Sequence, residues 1–448
     1  MKNKIQNILF LGVLLLTVSC NKKLAVTPKQ SIDEKDALKT PSDVQVALVG
    51  AYADMGGTSV YGGRAFLNPD LLGDNNELNW TGTFQELTQI KNKAIPVDNA
   101  FIRDTWLGSY AAINDANNVL SALDVITVQT AKDRTEGEAK FIRGSMLFDL
   151  VRLYAKAYND GNPANNDGVP IVTTPTRGIT LTDQRPRNKV SEVYTQVIQD
   201  LTDAEAKLPA ANGFFANKYC AAAMLARVYL QKGDFANARD AANRVIAGGA
   251  YSLRPTYAGV FPNALAAPVA NTTEDIFAMQ VTLTQGTNSF FTFYSSSGRG
   301  DIQIKAAHLA LYEVGDARKT LFYTSGGSTF TGKHEARYGN VHIIRLAEMY
   351  LIRAEANLRL GTTTGATPEQ DLTRIRARVG LAPIIGPTLN DILKERKLEL
   401  MFEGFTLHDI KRLQGSVGLL AWNDPKLVYP IPQREINVNP NLTQNQGY

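Results

Sequence analysis

Over most of this chain, apolar side chains recur three or four residues apart. That is the spacing of an α-helix that buries one face. The first run begins after Thr40, which suits an N-cap, with Pro41 in the first turn and Asp43 in its electropositive end. Val44, Leu48 and Tyr52 then make the apolar face. Residues 104–124 repeat the pattern through Trp106, Tyr110, Ile113, Asn117 and Leu120. Residues 135–154 do so through Phe141, Met146, Leu150 and Leu153. Ser191 caps a further helix with Tyr194, Ile198, Leu201 and Leu208 inward. Later helices are expected over 341–361, 371–379 and 392–402, with Arg345/Glu348 and Glu355/Arg359 at ion-pair spacing.

The pattern lapses in three places. Residues 61–96 show no sustained period and carry Asn68, Asp70, Asp74, Asn75, Asn76, Glu77, Asn79 and Trp80, which reads as a long polar loop region. Residues 159–175 form a Gly/Asn/Pro loop. From 251 to 337 glycine, serine, threonine and aromatics rise, with one strand expected over 275–283 and a Ser/Gly-rich loop holding Phe290, Phe291, Phe293, Tyr294 and Arg299. The tail over 429–448 is rich in proline and asparagine and reads as irregular.

The pair of runs over 218–247 is the most informative. Small residues at Ala226 and Ala238 let two antiparallel helices approach, Gly233 turns the chain, and Tyr229 and Phe235 fill the gap. This matches the core of a tetratricopeptide helical hairpin. Ala354-Glu355-Ala356 followed by Leu360-Gly361 is a weaker echo. The expected fold is mainly α: a tetratricopeptide-like helical-hairpin scaffold with long loop-rich insertions and a few short strands.

Composition adds limits. The chain has 448 residues, 44% hydrophobic and 20% charged, an ordinary globular balance. Its formal charge of +4 falls to about +2 without Lys2 and Lys4, too little to suggest nucleic acid. Lys2 and Lys4 precede a short apolar core over 8–16 and Thr17-Val18-Ser19-Cys20, which reads as a signal peptide and is too short to span a bilayer. A small residue before a cysteine at that position is similar to the lipobox of bacterial lipoproteins, which makes Cys20 the expected lipidation site. With Cys20 modified, Cys220 has no partner for an intramolecular disulfide.

Residues 392–413, ILKERKLELMFEGFTLHDIKRL, are the densest run of charge and aliphatics. Glu395, Glu399, Glu403, His408 and Asp409 allow two readings: an acid/base or metal cluster, or a salt-bridged helix. The second is favoured, with Arg396, Arg374, Arg376 or Arg412 as partners, and the expected site contains no catalytic residue and no metal. His308, His334, His342 and His408 make no metal-binding pair, and there is no nucleophile elbow, phosphate loop or dinucleotide fingerprint. No cofactor and no enzyme activity are expected.

Eight segments carry a family resemblance. They are EAKFIRGSMLFDLVRLYAKAY (138–158), SEVYTQVIQDLTDAEAKLP (191–209), LARVYLQKGDFANARDAANRVI (225–246), EDIFAMQ (274–280), RLAEMYLIRAEANLRLG (345–361), RIRARVGL (374–381), ERKLELMFEG (395–404) and YPIPQREINVNPNLTQNQGY (429–448). Across nearly its whole length the chain resembles SusD/RagB-type outer-membrane lipoproteins, the nutrient-binding partners of TonB-dependent transporters. It departs from them at Phe405-Thr406-Leu407, where the family often carries a basic and an aromatic residue. It departs again at Asn21-Lys22-Lys23, where surface-exported members often have an acidic run.

The resemblance implies a lipid-anchored, surface-exposed outer-membrane protein acting as a lid on a SusC/RagA-like transporter. It also implies a ligand site on loops outside the repeat helices. A sugar site needs flat aromatics for C–H faces and polar side chains for the hydroxyl rim. Two stretches have that composition: Asp74, Asn75, Asn76, Trp80 and Phe84, and Phe293, Tyr294 and Arg299. Trp106 and Trp422 read as packing residues. A glycan, a peptide or other oligomer, or no ligand at all in a pure scaffold remain open as functions. The expected organisation is a signal peptide over 1–19, a tether over 20–35 and one unit over 36–448. Within that unit, 36–250 form a helical part with an insertion at about 56–100, and 251–448 form a C-terminal part.

Overall fold

The computed structural model describes residues 38–178, 180–264, 266–284 and 288–448. The expected signal segment, Cys20 and the tether lie outside them. Among the described residues are fifteen α-helices and eight short strands.

The first helix, α1 (Pro41–Met55), starts as its sequence dictates. Asp43 N–H donates to Thr40 Oγ1 at 3.2 Å and Thr40 N–H to Asp43 Oδ2 at 2.8 Å, a reciprocal cap. Residues 61–96 are not a plain loop. They hold α2 (Arg64–Leu72), β1 (Leu78–Trp80) and α3 (Gln85–Lys91). Elements this short leave no periodic signature; they are fixed by partners far away in sequence.

Five helices then form a row: α4 (Ala100–Ser121), α5 (Gln129–Tyr154), α6 (Val190–Lys207), α7 (Lys218–Lys232) and α8 (Phe235–Ala247). Each packs on the next, and α1 lies against α4. The central helix α5 is buried on nearly all sides from Ala139 to Tyr154. Gly144 lets α6 come close, since a Cβ there would stand 3.1 Å from Leu201 Cγ. Ser191 does not cap α6; the helix begins one residue earlier, with Lys189 N–H bonded to Glu192 at 2.9 Å. The α7–α8 hairpin turns at Gly233, whose φ of +79° favours glycine.

After α8 the chain forms β2 (Asp275–Met279), α9 (Ser289–Tyr294), β3 (Ile302–Ile304), α10 (Ala306–Leu309), β4 (Phe322–Ser325), β5 (Ser328–Thr331) and β6 (Val341–Arg345). The expected helix over 341–361 is therefore a strand followed by α11 (Leu346–Leu360). Helix α11 packs on α8, with α12 (Pro368–Ala377) and α13 (Leu389–Leu400) against it. Then come α14 (Thr406–Arg412), β7 (Ser416–Val417), β8 (Leu420–Ala421) and α15 (Gln433–Val438), the last lying inside the tail expected to be irregular. The strands pair antiparallel as β1–β3, β2–β6, β4–β5 and β7–β8. No helix among the described residues is long and apolar enough to cross a membrane.

The charged stretch is interior. Glu395 pairs with Arg318 at 2.5 Å and Arg376 at 3.1 Å, and Asp409 with Arg396 at 2.9 Å and Arg412 at 2.6 Å. Glu403 takes Arg345 at 2.8 Å and Lys333 at 2.7 Å. Arg374 instead lies over the Tyr350 ring. Arg345 does not pair with Glu348, which binds Arg227 at 2.7 Å, whereas Glu355 does pair with Arg359 at 2.9 Å.

Asp70 on α2 ties this stretch to the N-terminal half by accepting from Gly404 N–H at 2.9 Å and Thr406 N–H at 3.4 Å. Burial raises its pKa to about 7 against those bonds, which hold it down. An unfolded aspartate titrates near ~3.9. The folded chain thus binds the extra proton, and stability falls as pH rises from about 4 to 7, by at most about 1.4 kcal/mol per pH unit. Asp70→Asn is expected to flatten that slope in urea midpoints measured across the same window; an unchanged slope would contradict the assignment.

Candidate ligand-binding site

The two stretches singled out for aromatic and polar residues meet through β1 and β3. Leu78 lies opposite Ile304, Asn79 opposite Gln303 and Trp80 opposite Ile302. Phe290 to Tyr294 are not a loop but helix α9, capped by the Asn288 side chain, which accepts from Phe291 N–H at 2.7 Å.

Three aromatic rings converge there. The Trp80 and Phe293 centroids are 6.0 Å apart, and Phe84 meets Phe293 edge-on at 5.7 Å. Phe84 also leans on Phe101 at 5.7 Å, and Arg64 covers Phe101 at 3.6 Å. Trp80 Nε1–H donates to Thr88 Oγ1 on α3 at 2.8 Å, which fixes the ring plane. Gly82 is required beside it: a Cβ there would lie 2.4 Å from the indole and 2.8 Å from Asp301 Cγ. Phe84 is 36% exposed and Trp80 is half-buried, while Phe293 is buried beneath them at 4%. Phe84 and Trp80 therefore form the open surface and Phe293 its support.

A polar rim adjoins the rings. The Arg299 guanidinium stands 4.8 Å from the Phe84 centroid and donates through Nε to Asp301 at 2.6 Å and through Nη2 to Thr83 Oγ1 at 3.2 Å. Its backbone is set by Arg299 N–H bonding Thr292 O at 2.7 Å. Asn79 donates to Gln303 Oε1 at 3.0 Å on the neighbouring strand. Thr83, Asp301 and Gln303 were not singled out from sequence. The β1–β3 pairing that recruits them joins residues more than two hundred positions apart.

The remaining residues divide. Asp74 is buried and organises the loop, accepting from Glu77 N–H and Leu78 N–H, both at 2.9 Å, and pairing with Lys91. Asn75 and Asn76 are exposed at that same end, some distance along the chain from the rings. Asn75 clasps the β7–β8 hairpin through Ser416 O and Gly418 N–H, each at 2.7 Å. Asn76 accepts from Lys305 at 2.6 Å. Tyr294 does not join the surface. It is 0% exposed and packed among Phe290, His334 and Phe402, so it presents nothing to a ligand.

Helices that hold an aromatic surface built from β1, the cap of α3 and α9 define a mainly helical scaffold protein. Residues 25–230 match the family model SusD-like_3, described as "Starch-binding associating with outer membrane", and residues 314–424 match the SusD family model SusD_RagB. The chain belongs to the SusD/RagB family. SusD-like protein P2 of Formosa agariphila is 26% identical, the match covering 98% of this chain and 99% of that protein. A SusD superfamily protein from Bacteroides thetaiotaomicron is 27% identical with a TM-score of 0.78, covering 91% of this chain and 99% of that one. Surface glycan-binding protein A from Bacteroides uniformis shares the fold, with a TM-score of 0.76 at 19% identity over 91% of this chain and 99% of that one.

Proposed function

We propose that this protein binds a glycan on the surface made by Trp80 and Phe84, with Phe293 beneath and Arg299 and Asp301 at the rim. The bound chain is then delivered to a SusC/RagA-like TonB-dependent outer-membrane transporter, over whose mouth the protein closes as a lid. The observation that carries this reading is the meeting of Trp80, Phe84 and Phe293 beside a half-exposed Arg299. Flat apolar rings take the C–H faces of a sugar, and guanidinium and carboxylate groups take its hydroxyls. The match to a family described as starch-binding supports the same ligand class.

The role is binding rather than chemistry. Hydrolysis of a glycan needs two carboxylates flanking the scissile bond, and the carboxylates of the signature stretch are neutralised by buried cations. Calorimetry against a panel of polysaccharides and peptides tests the proposal. Binding to at least one polysaccharide is expected; binding to peptides with none to any glycan would overturn it.

Anchoring is through lipid on Cys20, with the body held outside the bilayer. More than one acyl chain gives stable attachment where one alone is marginal. Cys20→Ala is expected to move the protein from the membrane fraction to the soluble fraction on cell fractionation. Retention with the membrane would rule out the anchor.

A further inference from the structure

The loop that carries Trp80 at one end opens, at its other end, onto a basic cleft of about 480 Å³. Its walls include Asn75, Asn76, Lys91, Lys93 and Lys426, with Asp74 at the base. Three lysines and one aspartate thus line the cleft, and Lys91 alone is paired with the aspartate. Lys93 donates to the carbonyls of Lys91 at 2.9 Å and Asp74 at 3.4 Å, which leaves one of its three N–H groups unused. Neither Lys93 nor Lys426 pairs with a carboxylate among the described residues. Lys305, bonded to Asn76, extends the positive edge. Burial and the neighbouring Lys91 lower the Lys93 pKa to about 8, against the pull of Asp74. The group is under-compensated where it stands.

The cleft and the rings are two ends of one frame. Helix α3 runs from Phe84, its N-cap, to Lys91, seven residues or about 10 Å. Strand β1 runs beside it, bonded through Trp80 and Thr88. Along α3 the rings and the cleft are thus separated by about the length of a short oligosaccharide.

We infer that the glycan bound by this protein is anionic, its ring faces on Trp80 and Phe84 and a carboxylate or sulfate group in the cleft between Lys91, Lys93 and Lys426. This rests on the glycan-binding reading above. A half-buried site with excess positive charge and amide side chains selects anions over neutral hydroxyls, and 480 Å³ lies within the range of small-ligand sites.

Calorimetry on the full chain with polygalacturonate, dextran sulfate and neutral dextran, at low and high salt, provides the test. Wild type is expected to prefer one or both anionic polymers, to weaken as salt rises, and to lose about tenfold in affinity in the Lys93→Gln/Lys426→Gln double variant. Trp80→Ala is expected to weaken the same polymer. Preference for polygalacturonate or for dextran sulfate identifies carboxylate or sulfate as the anion. An unchanged melting temperature verifies that the lysine variant is folded. Equal affinity for neutral and anionic polymers, or anionic binding untouched by the double variant, overturns the inference and leaves the aromatic surface standing. Loss in the lysine variant with none in Trp80→Ala overturns the aromatic surface and with it the spanning ligand.

Discussion

Arg345→Met is expected to lower the free energy of unfolding by about 3–5 kcal/mol, the penalty for stranding a buried charge. Arg345 is 2% exposed and serves three carboxylates. Nη1 reaches Glu274 at 2.7 Å and Glu399 at 3.0 Å, and Nε and Nη2 grip Glu403 at 2.8 Å each. Without it Arg378, Lys333 and the more distant Arg318 must balance three buried acids. The loss has a pH signature. Burial pushes the Glu403 carboxyl up, but Arg345 and Lys333 more than reverse this and hold it far below the usual range. Its stabilising contribution is therefore complete above the unfolded value of about 4.3 and disappears only in strong acid. In the variant Lys333 alone opposes burial, so the Glu403 pKa is expected to rise above its unfolded value. The stability gap should be widest at neutral pH and narrow as pH falls toward 5. Urea denaturation at several pH values measures both; a gap below about 1 kcal/mol would show that the network is replaceable.

Trp80→Ala is expected to reduce affinity for the cognate glycan at least about 30-fold, the effect of removing a central aromatic anchor worth about 2 kcal/mol. Stability should change less, because the ring is half-buried. Gly82→Val gives an independent check. Even its Cβ would fall 2.4 Å from the indole, so the ring must swing away and binding should weaken with every aromatic residue intact. Thr88→Val removes the 2.8 Å bond to Nε1 but keeps the ring, and should lose far less. Calorimetry on all three variants separates the ring from its orientation. Full affinity in Trp80→Ala would remove this surface from consideration.

The helical row was legible because α1 and α4–α8 bury a single stripe or, in α5 and α7, nearly every face, and both leave marks in the sequence. The Thr40 cap and the Gly233 turn were legible because each satisfies a local need. The candidate site was only half legible. Composition pointed to both stretches, but α2, β1 and α3 were read as loop since contacts from Phe101, Gln303 and Asp301 hold them. Reading 290–294 as loop also removed any phase. On a helix Phe293 and its neighbour Tyr294 face different ways, and Tyr294 turns to Phe402. The charged stretch was legible as an ion network, with Arg376, Arg396 and Arg412 among its cations. Arg318, Arg345 and Arg378 serve it as well, and nothing in their own neighbourhoods points to Glu395, Glu399 or Glu403 as partners.

The tail motif, unexplained by any periodic rule, turns out to be a fastening. Gln444 exchanges two hydrogen bonds with Ile431, at 2.8 and 2.7 Å. Asn445 Nδ2 reaches the carbonyls of Tyr154 at 2.8 Å and Tyr429 at 2.7 Å, while Arg187 Nη1 binds Thr443 O at 3.1 Å. Tyr429 N–H closes on Leu153 O at 2.9 Å, at the end of α5. The tail thus closes the carboxyl end of α5 from 291 positions further along the chain. Arg187 Nη2 and Asn445 Nδ2 meet on the Tyr154 carbonyl, at 3.1 and 2.8 Å, so the helix end and the tail hold each other in place and neither is set by its own local sequence.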